Sequence, residues 1–237
     1  MSELLSSFTA GWGAQFLRAA SMTVIVSACA FSLGLAIGAV AAWARLHTSL
    51  FARIIGSTYT TVSRGVPELL IIYLFFFGGN SALIGFVNGV LGYEGRIELN
   101  AFSVAVIALS LIAGGYFTEV LRGAYAAIPK GQLEAATAMG LRRSKILRRI
   151  IAPQLFRYAL PGCANIWQLL LKDSALVSVT GLVEIMRQSQ IASNSTREPF
   201  FFYSIACVLF IAITMITSAG FRKAEKRLAR GYSERSR

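Results

Sequence analysis

Five long apolar runs set the pattern of the chain, and they cover residues 19–44, 55–77, 101–121, 158–180 and 200–220. Each run reaches the roughly 20 residues that a helix needs to cross a bilayer. The second and the fourth runs are less uniformly apolar, because they carry the charged residues Arg64, Glu68, Lys172 and Asp173. The pattern predicts an all-α, polytopic membrane protein with five transmembrane helices, folded as a single transmembrane domain over residues 1–237.

The composition agrees with a membrane protein and excludes other classes. Of the 237 residues, 55% are hydrophobic and 14% are charged, whereas roughly 25% are charged in soluble proteins. The net charge of +12 does not indicate nucleic-acid binding, because the basic residues lie at the ends of apolar runs. The cysteines lie in apolar stretches without metal-ligand spacing, so packing roles are predicted for Cys29, Cys163 and Cys207.

The distribution of lysine and arginine predicts the orientation, because cytoplasmic loops are enriched in both. Residues 122–157 hold eight of them and the tail after residue 220 holds seven, whereas residues 78–100 hold one and residues 181–198 hold two. With five spans, both basic segments fall on the same side of the membrane. The first run is longer than a signal-peptide core, which predicts a retained span. We therefore expect the N-terminus outside and the C-terminus in the cytoplasm.

The most polar part of the chain is the basic segment EAATAMGLRRSKILRRIIAP, residues 134–153. A short helix is predicted from Pro129 onward, because proline is tolerated in a first turn and alanine favours helix. Gly140 can take the left-handed conformation that ends a helix, and Ser144 offers an N-cap for a second helix that starts at Lys145. A helix, a sharp corner and another helix are predicted, with five basic residues at the corner: Arg142, Arg143, Lys145, Arg148 and Arg149. They suit a cytoplasmic membrane surface or an acidic partner.

This segment resembles the EAA loop of permease subunits in bacterial ABC importers. The loop reads Glu-Ala-Ala, three residues, glycine, nine residues, isoleucine, two residues and proline, and the matching residues here are Glu134, Ala135, Ala136, Gly140, Ile150 and Pro153. The leucine usual before the proline is Ala152 in this chain. The resemblance implies a cytoplasmic coupling loop at about residues 123–157. In that role the short helix docks into a groove of an ATPase subunit, where Glu134 meets a basic or backbone donor.

The resemblance extends to three further motifs, RGVPE at residues 64–68, YFTEVLRG at 116–123 and LKDSALVS at 171–178. They look like the polar amino acid branch of the family. The stretch RYALPG at 157–162, followed by Trp167 and Gln168, is similar to the Q-type subunit of histidine, lysine/arginine/ornithine and opine permeases. The resemblance implies a type I ABC importer permease fold in the bacterial inner membrane. It also implies four kinds of partner: a second permease subunit of the M type, two ATP-binding subunits, a periplasmic substrate-binding protein and the amino acid substrate.

Catalytic motifs are absent from the sequence. It contains no glycine-rich phosphate loop with its lysine, no paired-histidine zinc site and no nucleophile elbow. His47, the only histidine, lies in a short predicted inner loop. We therefore expect a transport subunit without enzymatic activity and without a cofactor of its own. ATP and Mg²⁺ are expected in the partner ATPase subunits.

Acidic residues inside the apolar runs are candidates for the substrate pathway. A charge at the centre of a span costs about 2.5 to 3.5 kcal/mol on insertion scales, so such residues should face protein or water. Glu68 is the preferred pore-lining acid, because its only local partner is Arg64, four residues earlier. For Glu119, the alternative is an ion pair with Arg122, three residues later.

Asp173 and Trp167 complete the candidate pathway. Asp173 has Lys172 or a neighbouring helix as an alternative partner. Trp167 offers an apolar surface to a substrate, and its alternative role is ordinary packing. Gly114 and Gly115 predict a close approach of two helices, as small residues do in membranes.

The residues alone leave two other functions to be considered. The first is an ion-coupled secondary amino acid carrier, which would require inverted repeats or an intramembrane relay of acids, and neither is visible. The second is an integral membrane enzyme, which the missing catalytic clusters disfavour. Purification with an ATPase, together with ATP hydrolysis stimulated by a loaded binding protein, is expected only of the importer subunit.

Overall fold

The computed structural model describes residues 11–79 and 100–229, and within these ranges every regular element is helical. In chain order the helices are α1 (Gly13–Leu46), α2 (Leu50–Gly65), α3 (Glu68–Tyr73), α4 (Ala101–Ala126), α5 (Lys130–Ala138), α6 (Arg143–Ile146), α7 (Ala152–Asp173), α8 (Ile185–Thr196) and α9 (Pro199–Ala229). A π-helical turn follows α3 at Leu74–Gly78, and another joins α6 to α7 at Leu147–Ile151. A 3₁₀-helix at Ser174–Thr180 follows α7.

The prediction of five transmembrane helices is not confirmed. Within the described residues, three helices are long and apolar enough to cross a membrane, namely α1, α4 and α9. Helices α2 and α3, with the π turn after α3, meet the criterion only as a pair that is bent by 104°. The run at 158–180 is divided between α7 and the 3₁₀-helix. The second and the fourth apolar runs are the two that charged side chains interrupt. Length and apolarity therefore identify three spans, or four if the bent pair counts as one span.

The bend between α2 and α3 follows from Pro67. The residue before a proline is driven out of the helical region, and Val66 is extended, with φ −94° and ψ 136°. Pro67 then begins α3, where its carbonyl accepts the N–H groups of Leu70 and Ile71 at 3.0 and 3.2 Å. The proline therefore separates α2 from α3.

Helices α1 and α4 form the central pair, and glycines allow their close contact. A Cβ added at Gly38 would lie 2.9 Å from the carbonyl oxygen of Gly114. On another side of α4, a Cβ at Gly114 would overlap the hydroxyl of Tyr59, and one at Gly115 would overlap the side chain of Ser63. Both contacts are with α2, so the predicted role of Gly114 and Gly115 in close helix packing is confirmed.

The core lies where α1, α4 and α7 meet. Phe31 of α1 packs edge-on against Phe117 of α4, with ring centroids 5.0 Å apart, and against Trp167 of α7 at 5.7 Å. Leu109 and Leu170 are buried in the same cluster. Burial of a large apolar side chain contributes about 1.5–3 kcal/mol, so these contacts hold the three helices together within the chain.

A second small cluster joins the start of α1 to α8 and α9, through Phe16, Ala192 and Phe202. Glu184, only 1% exposed, begins α8 and accepts the backbone N–H groups of Met186 and Arg187 at 2.8 and 2.7 Å. Burial raises the pKa of this carboxyl group to about 7, against the lowering effect of the two donors. The cap fixes the connection between α7 and α9.

Two expectations lie largely outside the described residues. The connection at 78–100, which was used to predict the orientation, falls mainly within 80–99, and the end of the basic tail falls at 230–237. The described part of the tail belongs to α9, which carries Lys226 and Arg227 in its last turn.

Candidate functional site

The corner that follows α5 is built as the sequence predicts. Pro129 is the N-cap of α5, and Gly140 has a left-handed φ of +70°. The N–H of Gly140 donates to the carbonyl of Thr137 at 2.9 Å, and the N–H of Leu141 donates to that of Ala136 at 3.1 Å. This pair of bonds is the Schellman motif, which satisfies the last carbonyls of a helix when the residue after the C-cap is left-handed.

The second helix of the corner begins earlier than predicted. Its N-cap is Arg142, which is extended, and α6 starts at Arg143. The N–H groups of Lys145 and Ile146 donate to the Arg142 carbonyl at 2.8 and 3.1 Å. The prediction of Ser144 as N-cap is therefore wrong: the left-handed glycine turns the chain so sharply that α6 starts three residues after it, at Arg143.

The residues of the predicted coupling segment divide into exposed and covered positions. Glu134, Ala135, Gly140 and Pro153 are exposed, Ile150 is half-buried, and Ala136 is only 1% exposed. The start of α7 is tied to α5 by the amide of Gln154, which donates to the side-chain oxygen of Gln132 at 2.6 Å. The structure therefore brings the two ends of the segment together and leaves one face of α5 open.

The chain that follows α5 carries exposed positive charge. The five basic side chains of the corner are all exposed, and they are Arg142, Arg143, Lys145, Arg148 and Arg149. Their exposure agrees with the predicted polar environment, because such charges are costly in a lipid interior.

A group of charged residues joins α1, α2 and α4 near the end of α4 that leads to the corner. Arg45 of α1 donates to Oε1 of Glu119 on α4. Arg122 donates to Oε2 of Glu119 from Nε at 3.1 Å and from Nη2 at 2.7 Å. Arg64 of α2 approaches Oε1 at 3.9 Å. The ion pair with Arg122, which the sequence offered as an alternative role for Glu119, is present, and two further arginines approach the same carboxylate.

A groove of about 360 Å³ opens beside this group of charges. Its lining comes from α1, α2 and α4 and consists of Arg45, Ser57, Thr60, Thr61, Arg64, Gly65, Tyr116 and Glu119. The hydroxyl of Tyr116 donates to Oε1 of Glu68 at 3.4 Å, and Asp173 is within electrostatic range of Glu68. The structure therefore brings three of the predicted pathway residues, Glu68, Glu119 and Asp173, into the neighbourhood of Tyr116.

Trp167, the fourth predicted pathway residue, is buried and 8% exposed. It packs against Phe31 and Phe221, with ring centroids 5.7 and 6.5 Å away. Within the described part of the chain, its indole N–H has no hydrogen-bond partner. These contacts are those of a packing residue, the alternative role considered from the sequence.

Sequence reasoning missed the contributions of Arg45 and Arg64 to the Glu119 cluster. Arg45 lies 74 positions before Glu119, so sequence spacing carries no signal for the contact. The available signal was the RGVPE motif, which places Arg64 just before a helix break. Sequence reasoning also missed the hydroxyl of Tyr116, which contacts the carboxylate of Glu68.

Residues 34–230 match the family of binding-protein-dependent transport system inner membrane components. The chain belongs to this family, so it is a membrane subunit of a transport system that depends on a binding protein. Relatives in the family include the nopaline transport system permease protein NocQ of Agrobacterium fabrum, which is 48% identical over 96% of this chain and 97% of its own length. The octopine transport system permease protein OccQ of Rhizobium meliloti is 49% identical over 93% of both chains.

More distant relatives and solved structures agree. The histidine/lysine/arginine/ornithine transport system permease protein HisQ of Escherichia coli is 38% identical over 93% of this chain and 96% of its own. The crystal structure of an amino acid ABC transporter with histidines superimposes with a TM-score of 0.77 at 27% identity, and it covers 92% of this chain and 96% of that one. The MetNI methionine ABC transporter in an inward-facing conformation, at 16% identity and a TM-score of 0.66, shows the same fold over 90% and 95% of the two chains. The chain is thus a permease subunit with a type I importer fold.

Proposed function

We propose that this chain is a permease subunit of an ATP-driven importer for amino acids or opines, with basic or polar amino acids as the substrate class. The observation that carries the proposal is the exposed corner after α5, where Glu134 faces outward and a Schellman turn at Gly140 fixes the direction of the next helix. The relatives support the substrate class, because their names include nopaline, octopine, histidine, lysine, arginine and ornithine transport systems. An ion-coupled carrier is not favoured, because the relatives are permease proteins of transport systems.

The complex we infer contains this chain, a second permease subunit of the M type, two ATP-binding subunits and an external substrate-binding protein. ATP and Mg²⁺ bind to the ATP-binding subunits. Residues 1–237 act as one transmembrane domain, with the N-terminus outside and the C-terminus in the cytoplasm. The cluster of exposed basic residues around the corner supports this orientation, because positive charge is enriched in cytoplasmic loops.

Coupling runs through the corner of residues 123–157. Helix α5 lies in a groove of an ATP-binding subunit, with Glu134 and Ala135 at the contact and Ala136 packed inward. Gly140, Ile150 and Pro153 set the direction of the chain on either side. ATP binds the closed assembly more tightly than the open one, and this difference in affinity drives the permease between its inward-facing and outward-facing states. The bond between Gln132 and Gln154 lets a displacement of α5 act directly on α7.

The path for substrate follows the polar groups around Tyr116. Glu68 and Asp173 supply negative charge for a cationic substrate, and Glu119 orients the arginines at the inner end of the groove. Trp167 supports the path through its packing on Phe31. Glu68 is only half-buried, so its carboxylate stays within reach of water. An acid that water reaches compensates the charge of a passing cation without trapping it.

The experiment that tests the function is reconstitution of the complete complex in proteoliposomes with its binding protein. Radiolabelled arginine and octopine are offered outside, with ATP enclosed. We expect uptake that requires ATP, together with ATP hydrolysis that rises several-fold when the binding protein is loaded. Uptake driven by a proton or sodium gradient without ATP would identify a secondary carrier and overturn the proposal.

Replacement of Glu134 by lysine tests the docking role. Because Glu134 is exposed, the variant should fold and insert normally, while its association with the ATP-binding subunits weakens at least tenfold. Affinity purification through the permease and quantification of the bound ATP-binding subunit measure the effect. Glu198→Lys is the matched control, because it reverses the same charge at an exposed position just before α9 and should leave association unchanged. Full association of the Glu134 variant, with normal uptake per ATP, would contradict the docking role.

A further inference from the structure

The charges around the groove do not balance within the Glu119 cluster. Three guanidinium groups, from Arg45, Arg64 and Arg122, approach one carboxylate, which gives this group a formal charge of +2. Both oxygens of Glu119 accept hydrogen bonds, one from Arg45 and the other from Arg122. Glu119 therefore has little capacity left for the third arginine.

Arg64 is that third arginine, and its guanidinium group is held in place while its donors stay accessible. Its distance to Glu119 is 3.9 Å, which is beyond hydrogen-bond length. The guanidinium carbon lies over the ring of Tyr116, 5.6 Å from the centroid. Its side chain is 46% exposed and forms part of the groove wall. A stacked guanidinium keeps its planar set of donors available for a carboxylate.

We propose that Arg64 binds the carboxylate of the transported amino acid in this groove, as a positioning site at the inner end of the path. The inference rests on the proposed function and names the part of the substrate that this chain recognises. The groove volume of about 360 Å³ lies within the roughly 300–1,000 Å³ range of small-molecule sites. Ser57 and Thr61 add exposed hydroxyl groups to the wall.

The surroundings match a zwitterion. A carboxylate at Arg64 leaves the cationic side chain of the substrate directed along Tyr116, whose hydroxyl contacts Glu68. Arg64 and Glu68 both contact Tyr116, so they offer opposite charges to the two ends of an α-amino acid with a cationic side chain. The partial exposure of Arg64 keeps the carboxylate contact weak, which a passage site requires because the substrate must leave again.

The first test measures binding to the purified complex of permease and ATP-binding subunits without the binding protein, by saturation-transfer NMR. The probes are L-arginine and agmatine, which share the guanidinium group and differ in the carboxylate. We expect at least a fivefold stronger signal for arginine than for agmatine. Arg64→Gln should reduce the arginine signal to the agmatine level, and Arg64→Lys should retain part of it. The control Arg53→Gln removes the same charge from α2 at a position outside this groove and should keep the signal. Equal signals for both probes in the unaltered complex, or an unchanged signal in Arg64→Gln, would overturn the site.

The second test compares uptake and ATP hydrolysis in proteoliposomes. Arg64→Gln should lower arginine uptake at least tenfold, while the stimulation of ATP hydrolysis by loaded binding protein stays within twofold. If the unaltered complex imports neither arginine nor octopine, the proposed function fails and the site fails with it. If the unaltered complex imports arginine and Arg64→Gln does so equally well, only the site fails. Loss of bound anionic lipid from Arg64→Gln in native mass spectra, with uptake unchanged, would assign Arg64 to a lipid phosphate instead.

Discussion

Tyr116 separates the cation and the acid that flank the bend between α2 and α3. Arg64 lies over its ring, and Glu68 accepts its hydroxyl at 3.4 Å. From the sequence, Arg64 was the only local partner for Glu68, and in the structure it approaches Glu119 instead. The Glu68 carboxylate therefore has the Tyr116 hydroxyl as a weak, neutral partner. The proposed role of Glu68 in passing a cation requires such a weakly paired acid.

Replacement of Glu68 by glutamine should slow the uptake of arginine at least fivefold more than the uptake of a neutral substrate of the same system. The change removes the charge while it keeps an acceptor for Tyr116, so the difference reports the charge itself. Uptake of both substrates in proteoliposomes at saturating binding protein is the measurement, with the affinity of the binding protein unchanged.

The control for this prediction is Tyr116→Phe, which removes the hydrogen bond to Glu68 and retains the ring under Arg64. It should reduce the uptake of both substrates equally. An equal loss of both substrates in Glu68→Gln would make Glu68 a structural residue, and no loss of either would remove it from the path.

In the proposed function, coupling depends on the corner formed by α5, Gly140 and α6. A Cβ added at Gly140 would meet no atom within 4 Å, so space does not demand a glycine there. The demand comes from the backbone, because φ is +70° and a side chain in the left-handed region costs roughly 1–2 kcal/mol, with β-branched residues the least tolerant.

Gly140→Val should therefore preserve membrane insertion and abolish transport. Gly140→Asn should retain much of the activity, because asparagine enters the left-handed region more easily than other residues. Membrane fractionation and ATP-dependent uptake measure the two effects. Gly131→Val is the matched control within α5, where an added side chain also meets open space and φ is not positive. Normal uptake by the Gly140 valine variant would show that the left-handed corner is dispensable.

Across the whole molecule, positive charge is concentrated at the end of the bundle that carries the corner. Arg45 in the last turn of α1, Arg122 near the end of α4 and the exposed basic residues after Gly140 all lie towards it. Helix α8 and its connections carry fewer basic residues. Because cytoplasmic loops are enriched in lysine and arginine, we expect the corner to lie in the cytoplasm.

Cysteine labelling in intact cells tests this orientation. In a chain whose Cys29, Cys163 and Cys207 are replaced, a cysteine at Ser144 should be protected from an impermeant thiol reagent, and one at Asn194 should react. Both positions are exposed, so the difference reports the side of the membrane. Permeabilised cells provide the control, because both positions should then be labelled. Labelling of Ser144 in intact cells would invert the orientation and exclude the proposed contact with ATP-binding subunits.

The permease family was inferred from the resemblance of motifs, whereas a helical membrane protein and a left-handed corner at Gly140 could be predicted from local patterns in the sequence. These features follow from local rules: apolar runs of sufficient length, a proline that begins α5, and a glycine that accepts a positive φ. Local rules also predicted the pair of Glu119 and Arg122, one helical turn apart. They were less reliable for the number of spans, because Arg64, Glu68, Lys172 and Asp173 interrupt the second and fourth runs.

The residues that share the polar site are distant in the sequence, and only the packing of the helices brings them together. Arg45 and Glu119 are 74 positions apart, and the glycine contacts of α4 with α1 and α2 bring them together. The same packing places Arg64 over Tyr116 and within 3.9 Å of Glu119. Pro67 accounts for a bend at this point in the chain, but the packing of α2 against α4 decides which residues lie beside one another after it.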